Sequence, residues 1–184
     1  MKRVQKKPAR RRRTAADQVP SPYAGVLTMR GHWAALVLSG LKTVEIQRRP
    51  LSTSVGKRCA ICCSRTGMIW AEAIITEERV FLPEELALLQ LWQHQHHVPP
   101  HLLANYGRDK EGRPCPLYAY AMTDVRALKL PMQITKLRGS VVWSRPTVEL
   151  SAALPDQAFS EAPPALPDAR RMLHAAGAKL TMAL

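Results

Sequence analysis

The sequence predicts an α+β fold, a small barrel or curled sheet of five or six short strands flanked by two or three helices. Three observations carry that expectation. Short apolar stretches bounded by Gly, Pro or charged residues recur through the middle of the chain, at strand rather than helix length. All four Trp and all four Tyr fall between residues 23 and 143, which locates the core there. Helical periodicity is confined to two or three segments that do not alternate regularly with strands, so a doubly wound sheet is not expected.

In chain order, residues 1–22 come first. Residues 1–13 hold eight positive charges and no acid, and no apolar periodicity follows before Pro20 and Pro22. Such a segment has too little apolar surface to offset the entropy of ordering, and a disordered basic arm is expected. The domain is expected over 23–150. Its first element is a helix at 32–39, with Trp33, Leu36 and Val37 at helical spacing and Gly40 as the left-handed stop. Residues 43–47 then alternate, Val44 and Ile46 on one face and Thr43, Glu45 and Gln47 on the other, as a half-buried strand does.

Further strands are expected at 58–64, 68–75, 117–125 and 139–144. A helix is expected at 83–92, with Pro83 in the first turn and Glu84 and Glu85 favourable near its N-terminus. Another follows at 100–106 and ends at Gly107. Residues 151–184 read as an Ala- and Pro-rich tail that docks loosely, with one short helix at 168–176.

The net charge of +13 comes from 27 basic and 14 acidic residues. Outside residues 1–13 the balance is 19 basic to 14 acidic, so the body is only mildly basic. A cationic excess of this kind favours polyanions such as nucleic acid. No run of eighteen apolar residues is present, and the N-terminus lacks the apolar centre of a secretory signal, so neither a membrane span nor export is expected. Three of the four Cys, Cys59, Cys62 and Cys63, lie within five residues and make a poor disulfide framework; reduced thiols in an intracellular protein are expected. Cys59 and Cys62 have a CxxC spacing, and His94, His96, His97 and His101 follow. In a strand, however, positions 59 and 62 point to opposite faces, so buried thiols and a polar His-rich loop are expected, with no metal and no cofactor.

Residues 29–50 are the informative stretch. Gly40 releases the chain from the helix, so Lys42 and Thr43 fall at the start of a strand on which Glu45 shares a face with Thr43. A cation, a hydroxyl and a carboxylate then converge. Such a cluster serves either to hydrogen-bond a base edge or to transfer a proton, with Glu as base and Lys as a cation beside it; the plainer alternative is a surface ion pair. The four Trp are read as core residues rather than stacking platforms.

The run of Arg30, Trp33-Ala34, Leu38-Ser39-Gly40, Lys42-Thr43-Val44-Glu45 and Arg49-Pro50 resembles the signature of the ASCH family (activating signal cointegrator homology), a branch of the PUA-like superfamily. It is most similar to the subgroup containing the endothelial-overexpressed, lipopolysaccharide-associated factor proteins. Residues 138–143 are similar to the family's last strand. The resemblance implies a small PUA-like β-barrel flanked by helices, with a cleft for RNA or a modified nucleoside lined by Arg30, Lys42, Thr43, Glu45, Arg48 and Arg49.

Some ASCH proteins are amidohydrolases that deacetylate acetylcytidine, using a Lys at the position of Lys42, a hydroxyl at that of Glu45 and a distal Glu. For that chemistry, or for a ribonuclease, the catalytic set here is Lys42, Thr43 and Glu45, with Glu72, in the second barrel strand, preferred as the distal acid. Glu45 departs from the hydrolase pattern, which moves the expectation toward binding. Gln47 stands where many members have Arg, and Gly31-His32 where they have Pro. The expected protein is a monomer in the cytoplasm, the nucleus and mitochondrion being left open, and its partner is RNA rather than a membrane. Lys42→Ala and Glu45→Ala are expected to impair recognition with the fold intact.

Overall fold

The computed structural model of the protein describes residues 23–64, 66–133, 143–144 and 159–177. The basic arm, residues 134–142 with most of the strand expected at 139–144, and residues 145–158 and 178–184 lie outside them. The elements in order are β1 (Tyr23–Met29), α1 (Gly31–Leu38), β2 (Val44–Gln47), β3 (Lys57–Cys63), β4 (Met68–Phe81), α2 (Leu86–Gln90), α3 (Gln93–His96), α4 (Pro100–Tyr106), β5 (Leu117–Gln133), β6 (Trp143–Ser144) and α5 (Leu166–Ala175). The strands form one six-stranded sheet in the order β2-β5-β4-β3-β1-β6, antiparallel except for the β1–β3 pair. This is the curled α+β sheet that the sequence predicts.

Two strands run well past their expected ends. β4 and β5 pair over most of their length, and register shifts between Ile69 and Ala71, Glu72 and Ile74, and Ile75 and Glu77 interrupt the ladder. Each irregularity bends the ribbon and increases its twist, which curls the sheet into a half-barrel. The charged run Glu77-Glu78-Arg79 reads as the end of a strand, yet it continues the ladder with Glu77 and Arg79 exposed.

β1 is the element that sequence patterning passes over. It lies between β3 and β6, and Tyr23, Val26, Leu27, Thr28 and Met29 are all buried, so no apolar–polar alternation marks it. Gly25 is required by packing: a Cβ there would stand 2.4 Å from the Trp143 ring and 2.8 Å from the Ser144 carbonyl. β3 separates Cys59, Ile61 and Cys63, which face one core, from Ala60 and Cys62, which face another. Cys59 and Cys62 therefore point to opposite faces.

α1 starts and stops one residue before its expected bounds and is buried nearly all round, Gly31 and Ala34 to Leu38 included. The sheet covers one side and α5 the other. Ala169 and Leu173 of α5 are fully buried in the main core, with Leu166, Met172 and Ala176 packed against it. The C-terminal helix is thus a core element rather than a loosely docked one. The helix expected at 83–92 is a 3-10 turn at Pro83–Glu85 followed by α2, with the Glu85 carboxylate accepting from the Leu82 backbone N–H (2.8 Å). α4 has the bounds expected of it. Among the described residues no helix is long and apolar enough to cross a membrane.

Candidate nucleic-acid cleft

Gly40 turns the chain at φ 72°, and the Lys42 N–H then closes onto the Leu36 carbonyl (2.9 Å). That tight exit drives the Lys42 side chain inward, where it is 1% exposed. Its ammonium donates to the carbonyls of Val44 (2.6 Å) and His96 (2.7 Å), pairs with Glu45 Oε2 (3.2 Å), and lies 5.3 Å from the Trp33 ring centroid. Three acceptors use the three N–H bonds of an ammonium. Burial pushes the amine below the ordinary lysine value, while the Glu45 carboxylate pulls it back up. Lys42 lies buried in the cleft floor, not at an exposed strand mouth.

Glu45, on β2, is the part of this pair that meets solvent, with a side chain 12% exposed. Its other oxygen, Oε1, accepts from Gln47 Nε2 (2.8 Å). The carboxylate is therefore held from both sides, by Lys42 on one oxygen and Gln47 on the other.

His96 supports the floor from behind. It is fully buried; its Nδ1 accepts from the Val98 backbone N–H (2.9 Å), so Nε2 carries the proton and donates to the Leu89 carbonyl (3.1 Å). The residue lies in a short helix rather than a polar loop. Burial pushes it down to about 4, against the hydrogen bond to Leu89, which raises it. A base whose folded pKa is depressed contributes stability that is fully present above its unfolded value and is lost as pH falls through the folded one. Urea titrations should therefore show stability dropping between about pH 6.5 and pH 4, by on the order of 2–3 kcal/mol, and a His96→Gln variant should lack that component.

Above the floor is a cleft of about 810 Å³ with Trp33, Tyr106 and Trp143 in its walls and Arg30, Arg48 and Arg49 around it. Arg30 is the N-cap of α1, and all three arginines are exposed. Arg48 reaches the C-terminal end of α4, donating from Nε to the Tyr106 carbonyl (2.9 Å) and from Nη2 to the Asn105 carbonyl (3.1 Å), a favourable place for a cation. The segment carrying Arg49 is stapled by Tyr120, whose hydroxyl donates to the Arg49 carbonyl (2.7 Å) and accepts from the Leu51 N–H (2.8 Å). Burial, and next the Glu78 carboxylate beside it, push that hydroxyl well above the ordinary tyrosine value, so it stays a donor.

Of the expected site residues, Arg30, Lys42, Glu45, Arg48 and Arg49 line this one cleft, and Thr43 does not. Thr43 precedes β2. Its backbone is held by the Gln95 carbonyl and the Met122 N–H, and its side chain is exposed. The convergence is thus of cation and carboxylate, without the Thr43 hydroxyl. Glu72 is also elsewhere: it is fully buried and takes hydrogen bonds from Tyr23, from Arg58 Nη1 (2.8 Å) and from Arg126 Nε (2.8 Å). Its neighbour in register is Ala60, on the face away from the main core.

Sequence reasoning passes over Gln47, Trp33, Tyr106 and Trp143 as site residues. Gln47 could have been found from its shared strand face with Glu45. Trp33 and Trp143 carry ordinary core signals and are only half-buried because the cleft opens beside them.

No protein-family model and no curated protein sequence matches the chain. Solved structures do. An ASCH protein from Zymomonas mobilis superposes with a TM-score of 0.60 at 17% identity, covering 75% of this chain and 96% of its own. A serine-to-alanine variant of the same ASCH protein gives 0.62 at 14% identity, covering 76% and 100%. The architecture shared with these structures is an α+β domain built on a curled six-stranded sheet. More narrowly, the chain has the ASCH-domain fold.

Proposed function

We propose that the protein binds RNA, drawing one nucleotide, unmodified or modified, into the cleft above Glu45. The supporting observation is the combination of exposed Arg30, Arg48 and Arg49 around a pocket with aromatic walls and a polar floor. Arginines at the rim suit phosphates, aromatic faces suit bases, and a fixed carboxylate suits a base edge. The basic arm, with its eight positive charges in residues 1–13, adds sequence-independent affinity. The likeness of residues 29–50 to the endothelial-overexpressed, lipopolysaccharide-associated factor subgroup belongs to the same reading.

The test is the salt dependence of binding to single-stranded RNA. Each phosphate that the protein no longer neutralises should flatten the log–log slope by about 0.7. The full chain carrying Arg30→Ala and Arg49→Ala should bind more weakly with a shallower slope, and so should a chain lacking residues 1–20. Unchanged slopes in both would rule the reading out.

Hydrolysis of an acylated nucleoside or of RNA is the second reading. It has one observation in its favour, a buried amine held below its ordinary value against a carboxylate. Against it, the amine's three N–H bonds are already committed to oxygens of the protein. Mass spectrometry of nucleosides from total RNA incubated with the protein separates the two: enrichment without chemical change supports binding, and disappearance of one nucleoside supports hydrolysis.

A further inference from the structure

The floor of the cleft has a defined hydrogen-bonding polarity, which narrows what it accepts. An ionised carboxylate offers about four acceptor sites over its two oxygens. Lys42 occupies one on Oε2 and Gln47 one on Oε1, on either side of the group. By count, one acceptor site on each Glu45 oxygen remains for a ligand. Lys42 has no remaining N–H to donate, so its action on a ligand passes through Glu45.

We infer that, within the RNA-binding reading above, Glu45 selects guanine, accepting its N1–H and its N2 amino N–H in parallel. Among the four bases guanine alone presents two adjacent donors on its pairing edge. Adenine and cytosine set one amino group beside an acceptor nitrogen, and uracil sets one imino group between two carbonyls. An acceptor pair meeting any of these last three leaves an oxygen facing another acceptor. Gln47, whose amide is already tied to Glu45, lies beside the pair to meet the guanine O6 edge. Trp33 and Tyr106 supply the apolar faces that a stacked purine needs. A protein arginine carries a similar fork of donors. Arg30, Arg48 and Arg49 repel it at the entrance and favour a ligand that brings phosphate.

The experiment uses the full chain and a set of octauridines carrying guanosine, inosine, adenosine or cytidine at the centre, titrated by fluorescence anisotropy. The guanosine oligomer should bind about tenfold more tightly than the adenosine and cytidine oligomers. Inosine, which keeps N1–H and lacks the amino group, should fall between them. Glu45→Gln, whose amide has a single acceptor oxygen, should bring the oligomers close to equal affinity; because it also takes the counter-charge from buried Lys42, its melting temperature should fall, and affinities are compared at a temperature where circular dichroism shows the variant folded. Equal binding of all oligomers by the unaltered protein overturns the guanine assignment and leaves RNA binding standing. Binding of none of them overturns both. An arginine-rich peptide that binds in a Glu45-dependent way, with no discrimination among the RNAs, makes the cleft a protein-docking site and overturns the inference as well.

Discussion

Replacing Lys42 by alanine should cost about 3–5 kcal/mol of stability, measured by urea unfolding, as well as weakening RNA binding. The substitution removes a cation that is 1% exposed and leaves the Val44 and His96 carbonyls and the Glu45 carboxylate without their donor. Lost attraction is the smaller part of that cost. The larger part is that three oxygens arranged around an ammonium are left facing one another in a site with little water. This reverses the expectation from sequence that Lys42→Ala leaves the fold intact. Lys42→Met, which keeps most of the stem, should lose nearly as much, because the charge rather than the hydrocarbon satisfies the three oxygens. A loss below about 1 kcal/mol in both variants would show that the ammonium is solvated.

Leu173→Ala should destabilise the protein by about 2–5 kcal/mol, the range for emptying a fully buried leucine site. Leu91→Ala is the control. Leu91 is 71% exposed, and its truncation should move stability by no more than about 0.5 kcal/mol. The contrast measures whether α5 closes the core over α1 or only rests on it. Equal, small effects at the two positions would place α5 outside the cooperative unit.

α5 also shows where sequence reading runs out. Residues 168–176 are legible as a short helix, but a run of Ala and Pro before it suggests a tail. The missing clue lies at the other end of the chain. α1 has no polar face, and a helix that is apolar all round has to be covered on both sides. The sheet supplies one cover, so Ala34, Ala35, Leu36, Val37 and Leu38 already imply a second helix.

β1 escapes sequence patterning for a related reason. Alternation detects one buried face, and β1 is buried on both. β4 and β5 outrun their expected ends because charged residues can continue an exposed ladder, and bulges carry the strands past a Pro or an Asp at positive φ such as Asp124. By contrast, α4 and the turn at Gly40 are legible because Pro and Gly act locally, through their own backbone preferences.

Within the site, the chain-local relation is legible and the long-range relations are not. Glu45 and Gln47 share a strand face in the sequence pattern, and they share it in the structure. The third acceptor of Lys42 is the carbonyl of His96, 54 residues away, and Arg48 is fixed by the carbonyls of Asn105 and Tyr106. Nothing in residues 29–50 announces those partners. Thr43 enters the expected cluster only through an alternation counted from a residue that precedes the pleat.

Photocrosslinking tests the central claim most directly. Uridine-rich single-stranded RNA carrying one 6-thioguanosine, a photoactivatable guanosine that keeps N1–H and the N2 amino group, is irradiated with the full chain, and the modified peptides are mapped by mass spectrometry. A cleft that holds the nucleotide predicts adducts at Trp33, Tyr106 or Trp143, competed away by unlabelled RNA and reduced in the chain carrying Arg30→Ala and Arg49→Ala. Adducts confined to residues 1–22, with none in the cleft, would contradict it, leaving a basic arm as the RNA-binding element and the cleft without that role.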